Sequence, residues 1–494
     1  MGKPAAYILG QAQHSYHNDG AVDHPLVLMQ DIAKTALEDA GVLPGQVDAI
    51  ACVDPFSWTY ADLATKVAAG IGCKSGLREF WVPAGGTTPQ DLLHQISQAM
   101  AEGEVEIAIL VGAEAMRTRR KATRAGQELP WPLRDKDVNP TRGQKPFSSE
   151  WEARHGLRLP IQSFPIHENA IRAARGRSPE AQIKLAAGLL HKNAKVAANN
   201  PNAWFQDAPS ADLIGTVSTD NRMIAYPYTK RMNAIMDVDQ ASALIVVSDR
   251  VFERMGTPGQ AVAILGGAGS EEVWNPIERT SLAESKAMQI AFSAALTESG
   301  LSADEVSAFD FYSCFPSPIQ MAIDALAMDV GDERPFSITG GLAYAGGPGN
   351  NYVMHSLATA VTRLRASPQE RIMVTGIGMA NTKHTATLLA NAAEIPTNAT
   401  GITHYRIANG EEALAVAEQA EGNATIVSYT IEYDREGQAQ NVIYILDLDS
   451  GVRAIANARD ARAGAAQLLT NEPIGRSGGL RWDADAARQF FEIA

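Results

Sequence analysis

"ALEDAGVLPGQVDAI" occupies residues 36–50 and "ALTESGLSADEVSAF" residues 295–309, and the two align without a gap at an offset of 259. Each reads as the end of an amphipathic helix, a glycine stop at Gly41 or Gly300, a short polar loop and an apolar strand. At the same offset "VDPF" (53–56) stands against "YSCF" (312–315). Two glycine-rich stretches then align at 261, "AGGTTPQDLLH" (84–94) and "AGGPGNNYVMH" (345–355). Each leads into a helix and then an apolar strand, "EIAILVGAEAM" (106–116) or "RIMVTGIGM" (371–379). A nearly constant offset over about eighty residues, with the same order of elements, marks an internal duplication. The core is therefore expected to be a duplicated α/β unit in which helices alternate with mostly parallel strands.

The rest of the chain is organised around that repeat. Residues 1–116 and 236–265 form the expected first half, 117–235 an inserted loop domain rich in Pro, Arg and aromatic residues, and 266–395 the second half. After 395, "ATIVSYTIEYD" (424–434), "NVIYILDLDSGVRAIANA" (441–458) and "AQLLTNEPIGRSGGLRW" (466–482) alternate apolar with polar residues between turn-forming ones. Residues 396–494 are expected to form a small, separate antiparallel β-barrel.

At 494 residues, 45% apolar and 20% charged, the composition is that of a globular protein with a large core. The net charge of −14 gives no reason to expect nucleic acid or an anionic membrane as partner. No apolar run approaches the length of a membrane span, and the first residues lack the pattern of a signal peptide. Cys52, Cys73 and Cys314 are widely spaced and carry no metal-ligand pattern, so no metal is expected and a reducing cytoplasm is the simplest setting.

The glycine-rich stretches explain their own shape. Thr88 is placed to cap a helix, Pro89 suits its first position, and Asp91 can return a bond, which leaves free N–H groups beside Gly85 and Gly86. The matching helix is expected to begin near Asn350, beside Gly346 and Gly347. Helix starts favour developing negative charge, so the two could face one shared site. "MRTRRKATR" puts Arg117, Arg119, Arg120, Lys121 and Arg124 close together at the head of the insertion. That run reads either as a solvated loop or as a contact for phosphate.

These motifs resemble the thiolase superfamily over roughly residues 5–395. "TGGLAYAGGP" (339–348) is similar to the family's GG-x4-GHP loop, "YSCF" to its HDCF or NEAF loop, and "MDVDQASALIVVS" (236–248) to the strand entering the second half. "YSCFPSP", "GGPGNNY" and "TKH" (382–384) resemble type-1 thiolase-like proteins, a group usually labelled acetyl-CoA acetyltransferase and carrying an extra C-terminal barrel. The barrel here looks like the OB folds that accompany several thiolase-like proteins. The resemblance implies a CoA thioester as substrate or ligand, with no other cofactor, and a protein partner through the barrel.

The departures from that family are as informative as the matches. The nucleophilic cysteine falls on Gly86, the GHP histidine on Gly347 and the cysteine of the CxG loop on Gly376; the oxyanion-hole asparagine or histidine falls on Tyr312. Glycine can neither attack a thioester nor move a proton, so conventional thiolase chemistry is expected to be absent or very weak. Cys314 matches the acid/base cysteine of the HDCF loop in sterol-carrier-type thiolases, and reads either as proton shuttle or replacement nucleophile, or as an inert buried thiol. His384 can serve as base or pack a helix, and Tyr344 can donate to an oxyanion or simply pack. Gly86, Gly347, Asn350, Arg119, Arg120 and Lys121 are the candidate substrate contacts. His94 and His355, related by the repeat, are expected to serve packing or hydrogen bonding in both halves. Three functions remain open: acyl-transfer-type chemistry on CoA thioesters without the usual cysteine and histidine, retro-aldol cleavage of a β-hydroxyacyl-CoA, and non-catalytic acyl-CoA binding or assembly.

Overall fold

The computed structural model describes residues 4–17, 20–139, 143–257, 259–470 and 472–494. The first three residues of the expected first half and residues 140–142 of the expected insertion lie outside that set.

The first half runs β1 (Ala6–Ser15), α1 (Pro25–Ala40), β2 (Ala49–Cys52), α2 (Leu63–Ile71), β3 (Arg78–Phe80), α3 (Thr88–Ala101) and β4 (Ile107–Ala115). The insertion is mainly helical: α4 (Met116–Ala125), α5 (Glu150–Arg154), α6 (Pro160–Ala174), α7 (Pro179–Ala198) and α8 (Ala211–Gly215), then the short strands β5 (Met223–Ala225) and β6 (Tyr228–Thr229). The chain returns to the core as β7 (Asp239–Ser248), α9 (Asp249–Met255) and β8 (Val262–Glu271). The second half continues with α10 (Lys286–Ser299), β9 (Ala308–Asp310), α11 (Pro316–Ala325), α12 (Tyr352–Ala366), β10 (Arg371–Gly378), β11 (Lys383–Asn391) and β12 (Thr403–Ile407). Last come β13 (Gly422–Tyr433), β14 (Ala439–Leu448), β15 (Arg453–Asn457), α13 (Ala461–Thr470), β16 (Ser477–Asp483) and β17 (Arg488–Ile493).

The duplication is visible in the pairing. In the first half β2 runs parallel to β4, β4 antiparallel to β7, and β7 antiparallel to β1. The second half repeats this with β9, β10, β11 and β8. Gly41 and Gly300 end α1 and α10 in the left-handed conformation, at φ 64° and 66°, as the aligned glycine stops require. The strands are more antiparallel than expected. A turn of only four residues joins β10 to β11, too short for the crossover a parallel neighbour needs, and the insertion takes the place of that turn between β4 and β7.

A short contact between β1 and β8, Tyr7 with Ala263 and Ile8 with Val262, connects the two halves of the sheet. Helices α3 and α12 pack against each other and against strands of both halves, and are buried along most of their length. The expected histidine roles follow from this position. His94 on α3 hydrogen-bonds Thr387 of β11 at 2.9 Å, and His355 on α12 meets Gln13 of β1 at 3.1 Å, so each ties its helix to the opposite half.

One expected boundary falls elsewhere. The barrel was expected from 396, but β12 runs parallel to β8 and belongs to the core sheet, because its Arg406 is drawn onto Asp91 of α3 and Glu271 of β8. The barrel itself is closed by β13, β14, β15, β17 and β16, with β13 pairing back to β14. It includes one parallel pair, β15 with β17. Nor is it separate: β5 of the insertion pairs with β13, and Trp151, Ile166, Leu282 and Ile443 share one apolar cluster across insertion, core and barrel.

Burial depresses six histidines: His24 below its ordinary value, His94 and His155 to about 4, and His167, His355 and His384 to about 3. Below their ordinary value near 6.5 the unfolded chain takes up protons that the folded chain refuses, so stability must fall as pH drops. Each such proton is worth about 1.4 kcal/mol per pH unit. Melting temperature measured from pH 7 to pH 4 is therefore expected to decline steeply below pH 6.5; a flat profile would show that these rings are not buried as neutral groups.

Candidate functional site

Helix α3 begins at the glycine pair Gly85–Gly86, with Thr87 rather than Thr88 as its N-cap residue. Asp91 accepts a bond from the Thr87 hydroxyl at 2.7 Å and holds the Arg406 guanidinium through both carboxylate oxygens. Its carboxylate is thus committed, and the Thr88 hydroxyl is buried without a partner.

Tyr312 lies directly against this helix start. A Cβ at position 86 would overlap both its hydroxyl oxygen and the carbonyl oxygen of Ile377 on β10. Position 376 is similarly filled: a Cβ there would come 2.5 Å from the Thr385 hydroxyl and 2.8 Å from the Gln90 amide oxygen. These two groups already bond each other at 2.7 Å. Position 347 differs, since its nearest neighbour would be the Ile235 carbonyl at 3.3 Å. All three thiolase side chains are absent, as expected, and at positions 86 and 376 other groups occupy their space.

Cys314 is buried beside Tyr312. Its carbonyl accepts from Ala234, and burial pushes its thiol well up, against the pull of its own amide and that of Phe315. Burial, reinforced by the Cys314 thiol, likewise raises the Tyr312 phenol. Both groups are protonated at neutral pH. Tyr344 turns toward the insertion, where its hydroxyl donates to the Arg231 carbonyl at 3.3 Å.

His384 faces away from the helix start. Side chains alternate along β11, so Lys383, Thr385 and Thr387 point toward α3, while His384 points to Ser285 at the start of α10. Burial and the Arg279 charge depress its imidazole to about 3, which makes it a weak base. Among the described residues no hydrogen bond joins it to Cys314.

The remaining candidates are dispersed. Asn350 is buried with its amide 3.5 Å from the Asp54 carbonyl, and Gly347 donates its N–H to Ile235 at 2.8 Å. The basic run lies on α4 rather than on a loop. Arg120 and Arg124 pair with Asp237, Arg119 reaches the Phe56 carbonyl at 3.4 Å, and Lys121 is exposed. No group of three His, Cys, Asp or Glu side chains among the described residues is placed to hold a metal ion, and none of their helices is long and apolar enough to cross a membrane.

Lys383, absent from the expected site, is the residue the structure adds. Its ammonium is 3% exposed and donates to the carbonyls of Pro83 and Ala84 at 3.4 and 3.2 Å and to the Gln144 amide oxygen at 2.6 Å. Its signal was "TKH" itself: in a strand, the residue beside a wrongly facing histidine faces the site.

Comparison with known proteins fits this geometry. Residues 407–485 match the family described as "thiolase-like protein type 1 additional C-terminal domain". A monomeric SCP2-thiolase-like protein type 1 from Mycobacterium smegmatis superposes with a TM-score of 0.82 at 27% identity, over 100% of both chains. The chain has the thiolase fold and is similar over its whole length to a type-1 thiolase-like protein. More distant likenesses show the fold of this thiolase-like chain alone. An Ltp2–ChsH2(DUF35) aldolase gives a TM-score of 0.62 at 19% identity, covering 80% of this chain and all of that one. An acetyl-CoA acetyltransferase from Syntrophomonas wolfei gives 0.57 at 14%, covering 78% and 99%. Comparison by sequence with curated proteins returns no match.

The filled volumes lead to an asymmetric expectation. Gly86→Ala in this thiolase-like protein pushes a methyl into a backbone carbonyl and should cost about 1–3 kcal/mol or more, whereas Gly347→Ala should be close to neutral. Denaturant unfolding of the two variants checks this; equal stabilities would contradict the packing described.

Proposed function

We propose that this thiolase-like protein binds CoA thioesters at the start of α3 and does not pass the acyl group through an enzyme thiol. One observation carries the reading: the Tyr312 hydroxyl and the Ile377 carbonyl stand where a nucleophile's side chain at position 86 would have to be. The Cys314 thiol, pushed up by burial, is a poor substitute, because the thiolate is the reactive form. Support for the ligand class comes from the shared thiolase fold and from the helix start, whose dipole favours negative charge.

Aldol cleavage is the second reading, favoured by the Tyr312 hydroxyl at that helix start. In such a reaction the β-hydroxyl loses its proton, the Cα–Cβ bond breaks, an aldehyde or ketone leaves, and the thioester enolate is protonated. A phenol hydrogen-bonded to the thioester oxygen would stabilise the enolate without any covalent intermediate. The fold shared with an aldolase containing a DUF35 protein is consistent with a protein partner acting through the barrel.

CoA and acyl-CoAs should raise the melting temperature in a saturable way, since a ligand of the native state alone stabilises it. Intact mass spectrometry after incubation with acetyl-CoA should show no acyl adduct, and Gly86→Cys should gain no thiolase activity. An adduct lost in Cys314→Ala would overturn the noncovalent reading. Release of a carbonyl product from a β-hydroxyacyl-CoA, abolished in Tyr312→Phe, would establish the aldol reaction.

A further inference from the structure

The duplicated fold supplies an internal control for Lys383. Gln240 of β7 is paired with Glu114 at the end of β4, and Lys383 of β11 with Gly378 at the end of β10. Each reaches the alanine carbonyl of the opposite half's AGG segment, Gln240 that of Ala345 at 2.9 Å and Lys383 that of Ala84 at 3.2 Å. One glycine loop is therefore held by a neutral amide. The other is held by a buried charge, which costs far more to desolvate.

Among the described residues no ion pair of its own repays that cost. All three acceptors of the ammonium are neutral oxygens. The carboxylates facing it are Asp91 and Glu271, and both are ion-paired with Arg406, whose guanidinium opposes the lysine charge. Glu271 is also partly in solvent, where its influence is screened. Burial accordingly lowers the Lys383 pKa.

The partner at 2.6 Å is the exchangeable one. Gln144 comes from the insertion, is half-buried, and presents a carboxamide, whose shape is close to that of a carboxylate. On the side of the helix start the ammonium borders Gly85, where even an added Cβ would remain 3.7 Å from it.

We propose that Lys383 recognises a carboxylate at the acyl end of the ligand, in the place now taken by the Gln144 carboxamide, so that the site selects acyl thioesters of dicarboxylic acids. The assignment rests on the CoA-thioester reading above and specifies its substrate class. A carboxylate there gives the lysine an anionic partner inside the protein, where a charge pair is stronger than at the surface. No bond is made or broken in this recognition.

Isothermal titration of the full chain with CoA, butyryl-CoA and succinyl-CoA tests it. Succinyl-CoA should bind at least about tenfold more tightly than butyryl-CoA, and the ratio should fall to near one in Lys383→Met. Gln144→Ala, which keeps the lysine and removes the competing amide, should increase the ratio and guards against misfolding of the lysine variant. Equal affinity of the wild-type chain for the two thioesters, with CoA still bound, overturns the carboxylate assignment alone. Failure to bind CoA or either thioester overturns the CoA-thioester reading, and this assignment with it.

Discussion

Two helices enclosed between the strands of two half-domains must find partners within the protein for most of the polar groups they bring in, because a buried donor or acceptor left unpaired is costly. This constraint shapes the molecule from the inside. Gln90 of α3 meets the Val374 carbonyl and Thr387, His94 meets Thr387, and Asp91 takes the guanidinium of Arg406. Arg406 explains why the chain continues past β11 along β8 before entering the barrel: a fully buried carboxylate at the start of α3 requires a cation, and β12 provides it.

The same enclosure bears on chemistry. A helix start enclosed by strands favours a developing anion, and here β10 and the Tyr312 hydroxyl border it. The nucleophile is not simply deleted, leaving a gap. A phenol, a backbone carbonyl, a threonine and a glutamine fill the space around positions 86 and 376. These replacements form a consistent polar packing of their own, with Thr385 bonded to Gln90 and Tyr312 next to Cys314. The chain carries the thiolase fold around a differently composed centre.

The barrel also departs from a simple appended module. It shares strand pairing with the insertion through β5, and an ion pair joins the buried Arg172 of α6 to the half-exposed Glu472. The Asn169 side-chain amide donates a hydrogen bond to the Tyr429 carbonyl at 2.9 Å. Insertion and barrel thus pack together against the core.

The sequence alone determined the duplication, the two glycine helix stops and the loss of all three thiolase side chains, because these depend on spacing and residue identity within short segments. It also anticipated that the paired histidines would serve the core. Tertiary structure decided which neighbours face the helix start. His384 and Lys383 are adjacent, yet strand alternation sends one to α10 and the other to the AGG loop, a parity fixed by the four-residue turn before β11. It also decided that Arg120 and Arg124 on α4 would be met by Asp237, more than a hundred positions away, and that β12 would join the core sheet instead of the barrel. Such pairings depend on long-range register and on the need to neutralise buried charge, neither of which a local stretch of sequence contains.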